Sequence, residues 1–334
     1  MAQDRLHEAL ADFHRLGDEV RERPQDDPYR IREQTRLVSR FYDVVTRFYE
    51  FGWGATFHFS PRRLGENLRA SQRRHDEGVG ELLRLRPGMR VADVGCGVGG
   101  PLVNIAKATG ASITGINFNT RQVERGRLRA RRAGLESTCD FLYADYMDVP
   151  LPEGTFDAMY SFEAICHAPD KERAFRELHR LLKPGGEAAI VDWCLTDRFD
   201  AANPMHGNLR ARIEKTNATP DLPTCAEYVA AMKGAGFEVI EALDQQEELG
   251  NPETPWYMAL EGRDLSVSSL ARIPAGRALT AFVTRMLESV RVLPRGTSET
   301  ARFLNVAADA LVEAGKRRIF TPSFLVHAKR PETG

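Results

Sequence analysis

Long apolar runs are missing from this sequence. No stretch of the 334-residue chain approaches the roughly 20 consecutive apolar residues that a membrane-spanning helix needs. The first residues, M-A-Q-D-R-L-H-E, have no apolar core of the kind found in signal peptides. These absences predict a cytoplasmic protein that makes at most loose, peripheral contact with membranes.

An excess of charge of one sign and paired cysteines are missing too. The 46 Lys and Arg residues nearly balance the 47 Asp and Glu residues, so the chain has no basic field to recruit nucleic acid. Five cysteines are an odd number, and none forms a C-x-x-C pair. This pattern argues against a disulfide framework or a zinc site, and it favours a reducing compartment. We therefore predict no metal and no nucleic-acid partner.

Glycine, in contrast, is concentrated in residues 90–101, R-V-A-D-V-G-C-G-V-G-G-P. The apolar run before the first glycine is typical of a buried parallel strand, and Asp93 interrupts it near its end. The glycines that follow allow a sharp turn and let backbone N–H groups approach a ligand. In open α/β sheets, a corner between a strand and the next helix binds nucleotide-like ligands.

The glycine spacing separates two classes of such ligands. Dinucleotide folds use G-x-G-x-x-G, with a helix N-terminus facing a pyrophosphate. Here the spacing is D-x-G-x-G-x-G, which suits a ligand with an amino-acid carboxylate, an ammonium or sulfonium group near Asp93, and no phosphate. This predicts S-adenosylmethionine (SAM) as the cofactor, S-adenosylhomocysteine as its product, and a turn that binds it through Asp93, Gly95, Cys96, Gly97 and Gly99.

Strands and helices alternate after Pro87-Gly88, which indicates an α/β fold. We predict parallel strands at 89–94, 112–117, 140–143, 156–161, 187–193 and 237–242, and a final antiparallel strand at 319–329 that closes the sheet. The prediction is a Rossmann-like, seven-stranded class I SAM methyltransferase sheet with helices on both faces. Residues 1–86 would form an N-terminal helical, aromatic substrate-binding cap, 87–244 the SAM-binding core, and 245–334 a C-terminal subdomain with a helical insertion before the last strand.

The predicted cap begins with an amphipathic helix at 3–22. It could be a lid or membrane-surface helix, or it could pack against the core or a second subunit; its mixed charges favour packing. Residues 31–59 are dense in aromatics, which form either core or the wall of an apolar pocket that faces a cation. Gly52 and Gly54 in this segment predict that it is not one continuous helix. A further helix is predicted at about 64–85.

Polar residues follow the second and third strands. Asn117 and Asn119, with Gln122 one helical step further, are expected at the ribose hydroxyls, although Asn is also a common turn residue. Position alone places Asp145 at the adenine amino group and Tyr146 over its ring.

The fourth and fifth strands end in groups suited to carbocation chemistry. Glu163 ends the fourth strand, where a carboxylate can stabilise a cation or remove its proton. His167 lies four residues on, and an ordinary hydrogen-bonded loop histidine is as good an interpretation of it. Asp192 and Trp193 would add a carboxylate and a π face to the same rim.

Four motifs in this sequence resemble those of the sterol C-24 methyltransferase family. They are Y-E-F-G-W-G-A-T-F-H-F at 49–59, V-G-C-G-V-G-G-P at 94–101, F-E-A-I-C-H-A-P-D at 162–170 and D-W-C-L-T-D-R-F-D at 192–200. The tail at 281–329 is also similar, so the resemblance runs from about residue 36 to 330. It implies that the side-chain alkene of a sterol attacks the SAM methyl group. A hydride shift and loss of a proton then give a methylene group, without a metal. It also implies a homo-oligomer.

The resemblance assigns roles to residues of this chain. Glu163 is the leading base, supported by Tyr49, His167 and Asp192. The substrate side is implied to consist of Tyr49, Glu50, Phe51, Trp53, Phe57, His58 and Trp193. The sequence departs from the family at Asp192, where Glu is usual, and at 216–219, where a glycine-containing turn is usual. These changes leave open the C-methylation of another prenyl alkene, such as an isoprenyl diphosphate or a prenylated metabolite. No cluster of basic residues in the motifs suits a diphosphate, which favours a neutral lipid.

Overall fold

The computed structural model describes residues 5–24, 27–263 and 272–332. The helices are α1 (Arg5–Arg21), α2 (Pro28–Trp53), α3 (Leu68–Leu82), α4 (Gly100–Thr109), α5 (Thr120–Arg132), α6 (Lys171–Leu181), α7 (Pro204–Asn217), α8 (Cys225–Gly234), α9 (Gln245–Glu248), α10 (Pro274–Ser289) and α11 (Thr297–Lys316). The strands are β1 (Arg90–Val94), β2 (Ser112–Asn117), β3 (Cys139–Tyr143), β4 (Phe156–Phe162), β5 (Leu182–Leu195), β6 (Glu238–Asp244) and β7 (Phe320–Lys329). Two 3₁₀ turns lie at Ile165–His167 and Trp256–Ala259.

Seven strands form one sheet in the order β3-β2-β1-β4-β5-β7-β6. Strands β1 to β5 pair in parallel, and β7 is antiparallel to both β5 and β6. The predicted sheet and its antiparallel last strand are confirmed, although β7 lies inside the sheet and β6 forms the edge. The chain runs outward in opposite directions from β1 and β4, so the crevice beyond their carboxyl ends is the expected ligand site.

Helices cover both faces of the sheet because side chains alternate along its strands. Val91 points into a core formed with α3, α4 and α5, whereas Ala92 and Val94 point into a core formed with α6 and α8. All three side chains are fully buried. The alternation fixes β1 against both layers and thereby fixes the glycine turn that follows it.

The predicted interruption of the aromatic segment is confirmed, and it lies at Gly54 rather than at Gly52. Helix α2 runs unbroken from Pro28 to Trp53 and includes Gly52 in its last turn. One such glycine costs only about 1 kcal/mol relative to alanine, and the buried face of α2 against α1 offsets that cost. The helix ends at Gly54, which has a φ of 81° and donates its N–H to Glu50 O. Residues 55–61 then cross the top of the sheet without regular structure.

Two other element boundaries differ from the predictions by four residues or more. Strand β5 begins at Leu182 rather than 187, because Leu182 pairs with Phe156 before a register shift brings Glu187 opposite Ala158. Residues 183–186, which come just after the end of α6, therefore form a bulge in β5. Helix α3 begins at Leu68, where the Asn67 side chain accepts a hydrogen bond from Ala70 N.

Helix α1 packs within the chain, as the favoured interpretation predicted. Leu10, Phe13 and Leu16 are buried against α2 and against Phe303 and Leu304 of α11. The N-terminal and C-terminal helical segments thus meet above the sheet. In the described part of the chain, no helix is both long and apolar enough to cross a membrane.

Candidate active site

Two cavities meet beyond the carboxyl ends of β1 and β4. The smaller one, about 60 Å³, lies against the glycine turn. The larger one, about 380 Å³, lies between α2, α10 and α11, within the usual range of ligand pockets of about 300–1,000 Å³. The residues that line both cavities are Tyr42, Phe57, Glu163 and His167. A group transferred between two bound molecules would pass these side chains.

The glycine turn leaves room for a ligand at one position and packs tightly at the others. A Cβ added at Gly95 would lie 2.2 Å from Ala164 Cβ, and one at Gly99 would lie 2.9 Å from Phe141 Cζ. At Gly97, which has a φ of 51°, the nearest atom would be Phe57 Cδ2 at 3.9 Å. Gly95, Cys96 and Gly97 line the smaller cavity, whereas Gly99 is absent from its described lining and instead allows close packing with Phe141.

Asp93 presents a carboxyl group to the smaller cavity. It is 2% exposed, and its Oδ2 makes no hydrogen bond within the described residues. Burial raises its pKa to about 8, although the nearby Tyr160 hydroxyl favours the ionised form. A cationic group bound in this cavity would supply the missing partner for the carboxylate.

The raised pKa predicts that a cationic ligand displaces a proton from Asp93. Below about pH 8 the free protein holds that proton. SAM binding should therefore release it and strengthen as the pH rises from 6 to 8, by at most about tenfold per unit. Calorimetry of SAM binding in buffers of different ionisation enthalpy measures the released proton. In Asp93→Asn the ligand's own titration persists, but the extra proton release should vanish. Equal proton release by the variant and the wild type would contradict the assignment.

The polar residues after β2 divide into two groups. Asn117 and Gln122 line the smaller cavity, and Asn117 Nδ2 donates to Gln122 Oε1 at 2.9 Å. Asn119 instead caps α5, because its side chain accepts from Gln122 N at 3.0 Å; it is not in the cavity lining of the described chain. Phe118, between them, lines the cavity and was missed by the sequence analysis.

Of the pair after β3, Tyr146 faces the smaller cavity and donates its hydroxyl to Ala164 O at 3.0 Å. The Asp145 carboxylate is hydrogen-bonded elsewhere: it accepts from Thr35 Oγ1 and from Met147 N, each at 2.9 Å. Within the described residues, Asp145 lines neither cavity.

Glu163 lies between the two cavities in an unusual backbone conformation. Its φ is 51°, a left-handed value that costs a non-glycine residue about 1–3 kcal/mol. Its Oε1 accepts from Phe59 N at 2.5 Å, and its Oε2 accepts from Trp193 Nε1 at 2.7 Å. Burial raises the pKa of Glu163 well above its usual range, and these two donors offset only part of that effect. Glu163 is therefore held in a fixed orientation and binds a proton more tightly than an exposed carboxylate does, and a general base needs both properties.

His167 is both a cavity residue and a hydrogen-bonded loop histidine. Its Nε2 lies 3.0 Å from Tyr42 Oη, and its Nδ1 lies 3.3 Å from Ala218 O. Burial lowers its pKa to about 4, so the imidazole is neutral at pH 7. Ala218 belongs to the unusual segment 216–219, whose Asn217 lines the larger cavity. That departure from the family pattern therefore lies at the candidate site.

The expectation that Asp192 shares the cavity rim is wrong. Asp192 is fully buried and accepts hydrogen bonds from Cys166 N at 2.8 Å and from Tyr228 Oη at 2.9 Å. Neither cavity includes it among the described lining residues, whereas Trp193 lines the larger one. Neighbouring residues of a strand point to opposite faces, so Asp192 supports the loop after β4 from below.

The aromatic motif forms most of one wall of the larger cavity. Tyr49, Phe51, Trp53 and Phe57 line it, with Phe51 80% exposed at its mouth. Phe59 and Tyr42, which the sequence analysis did not select, line it as well.

Two residues of this motif do not lie where the resemblance implied. Glu50 forms ion pairs with Arg125 and Arg129 of α5 and is not in the described lining of either cavity. The helical rotation from Tyr49 turns it away from the pocket. His58 lines the smaller cavity rather than the larger one.

Four arginines also line the larger cavity, none of them in the motifs: Arg272, Arg277, Arg285 and Arg302. Arg272 donates to Ala259 O and Gly52 O, and Arg277 pairs with Asp309. Arg285 and Arg302 are exposed, so polar groups surround the outer end of an otherwise apolar cavity.

Residues 92–190 match the family model described as Methyltransferase domain, and residues 268–332 match the one described as Sterol methyltransferase C-terminal. Cycloartenol-C-24-methyltransferase 1 of Oryza sativa subsp. japonica is 43% identical over 89% of this chain and 86% of its own length. Sterol 24-C-methyltransferase of Yarrowia lipolytica is 37% identical over 96% of this chain and 86% of its own length. The chain belongs to the sterol 24-C-methyltransferase family. It is a SAM-dependent methyltransferase, as its glycine turn predicted.

Solved structures agree with the fold of this family member. The [4+2]-cyclase SpnF has a TM-score of 0.66 at 21% identity and covers 89% of this chain and 96% of its own. Geranyl diphosphate methyltransferase, in complex with GPP and sinefungin, has a TM-score of 0.64 at 18% identity. The match covers 89% of this chain and 99% of that one. At such low identity these likenesses show the class I SAM methyltransferase fold alone.

Proposed function

We propose that this chain transfers a methyl group from SAM to C-24 in the side-chain alkene of a sterol, with SAM in the smaller cavity and the sterol in the larger. The observation that carries the proposal is Glu163, a carboxyl group held by two donors where the cavities meet. The groups at the smaller cavity match those of SAM, because Asp93 Oδ2 needs a cationic partner and Gly97 leaves a gap beside the backbone. The cavity of about 60 Å³ holds only part of such a ligand, so the side chains around it must move aside when SAM binds.

When SAM is bound, it supplies an electrophilic methyl group. As the new carbon–carbon bond forms from the alkene's π electrons, the bond from the methyl carbon to sulfur would break, its electron pair would stay on sulfur, and S-adenosylhomocysteine would remain. The neighbouring tertiary carbon of the sterol becomes cationic, and a hydride then moves to it from C-24, which leaves the positive charge on C-24. The rings of Tyr49 and Trp53 offer π faces to that cation. After the hydride shift, Glu163 removes a proton from the added methyl group, and the remaining C–H electrons form the methylene double bond. His167 is neutral and bonded to Tyr42, so it orients the rim without adding positive charge.

We further propose that the sterol lies with its side chain at Glu163 and its ring hydroxyl towards the mouth. Aromatic groups dominate the inner end of the larger cavity, whereas Arg285, Arg302 and Asn305 line the part formed by α10 and α11. A single hydroxyl can accept from such donors. The names of the curated relatives support a sterol over a prenyl diphosphate.

A substrate panel tests the proposed function. Purified protein, SAM and either Δ24-sterols or geranyl and farnesyl diphosphates would be incubated separately, and products identified by mass spectrometry. The expected result is a 24-methylene sterol and no methylated diphosphate. Methylation of a diphosphate alone would contradict the sterol assignment and would direct attention to Arg285 and Arg302 at the outer end of the larger cavity.

We also propose that the outer face of α10 contacts a membrane from which the substrate enters. Leu279, Phe282, Val283 and Met286 are exposed at helical spacing beside the mouth where Phe51 is exposed. Burial of two such side chains in lipid is worth about 1 kcal/mol or more each. Phe282→Ser with Met286→Ser should therefore weaken co-sedimentation with phosphatidylcholine vesicles about tenfold or more. Leu128→Ser, an exposed residue on α5, is the control and should have no effect.

Unchanged vesicle binding by the α10 double variant would contradict the membrane proposal. A fall in molecular mass by analytical ultracentrifugation would instead identify the α10 face as an interface between copies of the chain. The homo-oligomer implied by the family resemblance, the cytoplasmic location and the three-part division at 87 and 245 stay predictions.

A further inference from the structure

Helix α3 fastens the segment that carries the aromatic motif onto the sheet. Gln72 Nε2 donates to Thr56 O at 3.0 Å and to His58 O at 2.9 Å. One turn further along α3, Asp76 Oδ1 lies 2.7 Å from His58 Nε2. Asp76 is fully buried and His58 is 2% exposed, so these contacts are shielded from water.

Both ring nitrogens of His58 face oxygen atoms. Nε2 faces the Asp76 carboxylate, and Nδ1 lies 2.7 Å from Phe59 O, which can only accept. Asp76 Oδ2 also accepts from Asn104 Nδ2 at 2.7 Å. His58 Nδ1 therefore donates to Phe59 O, and a hydrogen bond joins Nε2 to the Asp76 carboxyl group.

The bond from His58 Nδ1 to Phe59 O closes a small ring around the peptide that joins the two residues. The N–H of that peptide donates to Glu163 Oε1. The His58 ring also stacks on Phe162, with centroids 4.3 Å apart and planes 11° apart, immediately before Glu163. Two contacts of His58 therefore converge on the carboxyl group between the cavities.

We propose that Asp76 and His58 form a positioning pair that aims the Phe59 N–H at Glu163 and so fixes the base of the reaction. This role rests on the function of Glu163 proposed above. Asp76 is outside the described lining of both cavities, so it acts through His58 and not on either bound molecule. A loosened Glu163 would slow proton removal while leaving both binding sites in place.

The test compares Asp76→Asn with Asp157→Asn, a control whose carboxylate accepts from Arg90 N at the opposite end of the sheet. We expect Asp76→Asn to lower kcat at least tenfold, with SAM affinity and sterol KM within about threefold of wild type. The control should leave all three unchanged. An unchanged kcat in a folded Asp76→Asn protein would overturn the proposal, as would a loss confined to SAM affinity.

Two further measurements keep the proposal testable if Asp76→Asn does not fold. The side-chain amide nitrogen of Asn can replace Nδ1 of His, and that of Gln can replace Nε2. Because the proposed role depends on the bond from Nδ1 to Phe59 O, His58→Asn should retain several-fold more kcat than His58→Gln. The reverse order would overturn the proposal. Nitrogen-15 NMR of wild type should show that His58 Nδ1 carries a proton, and a ring with Nδ1 unprotonated would overturn it. The NMR measurement needs no sterol and therefore tests the positioning pair by itself. If the substrate assignment is wrong, the wild-type protein will methylate no sterol, and that result is independent of the NMR spectrum.

Discussion

Glu163→Gln is expected to lower kcat for sterol methylation by about 10²–10⁴-fold, the usual contribution of a general base. The amide is nearly isosteric with the carboxyl group but cannot take a proton. One of its two donors, Phe59 N or Trp193 Nε1, would also face an NH₂ group. The cation that forms should lose a proton elsewhere or react with water, so the residual product should shift from the methylene sterol to an isomer or an alcohol. Mass spectrometry of single-turnover products measures both effects.

Glu214→Gln is the matched control for that variant. Glu214 is also largely buried with a raised pKa, and it accepts from Leu222 N and from the Arg210 side chain, but it lies outside the described lining of both cavities. It should keep kcat within about threefold. SAM affinity, measured by calorimetry, should be close to wild type in both variants. A wild-type rate and product in Glu163→Gln would remove Glu163 from the mechanism.

Gly97→Ala is expected to weaken SAM binding at least tenfold, or about 1.4 kcal/mol. The added methyl group would enter the smaller cavity, where the nearest atom, Phe57 Cδ2, lies 3.9 Å away. The space that it takes is the space that a ligand needs to approach the backbone. The left-handed backbone at Gly97 also makes alanine cost about 1–2 kcal/mol of stability, so stability and binding must be measured together.

Gly134→Ala separates the two effects of that substitution. Gly134 has a φ of 69°, and no atom lies within 4 Å of the position of its Cβ. Gly134 follows α5 and lies away from the smaller cavity. Gly134→Ala should therefore lower the melting temperature about as much as Gly97→Ala does, while leaving SAM affinity unchanged. Equal SAM affinity in Gly97→Ala and Gly134→Ala would show that the smaller cavity does not hold the cofactor against this glycine.

Local patterns in the sequence were enough to predict the sheet and one side of the site. The apolar strand before Asp93 and the glycines after it determine a turn whose geometry needs no distant partner. The aromatic positions Tyr49 and Trp53 are four residues apart, which places them on one helix face. The same rule, applied to Glu50, already predicts that it points elsewhere. Strand alternation likewise separates Asp192 from Trp193.

Other features depended on contacts between distant parts of the chain. The donors to Glu163 come from residues 59 and 193, and nothing local to residue 163 indicates a backbone N–H from another segment. Arg285 on α10 and Arg302 on α11 line the larger cavity, and α11 is placed by a contact between distant residues, Phe303 against Phe13 of α1. The continuity of α2 through Gly52 was missed because tertiary packing outweighs one unfavourable residue.

Trideuteromethyl SAM with a Δ24-sterol tests the central claim most directly. If the base between the cavities removes a proton from the newly added methyl group, the methylene sterol must retain two of the three deuterium atoms, and the rate should show an isotope effect wherever proton removal is slow. Mass spectrometry of the product measures the retained label. Two retained deuterium atoms are the predicted result. Retention of all three would mean that the proton leaves another carbon, and no label in any sterol would contradict the account.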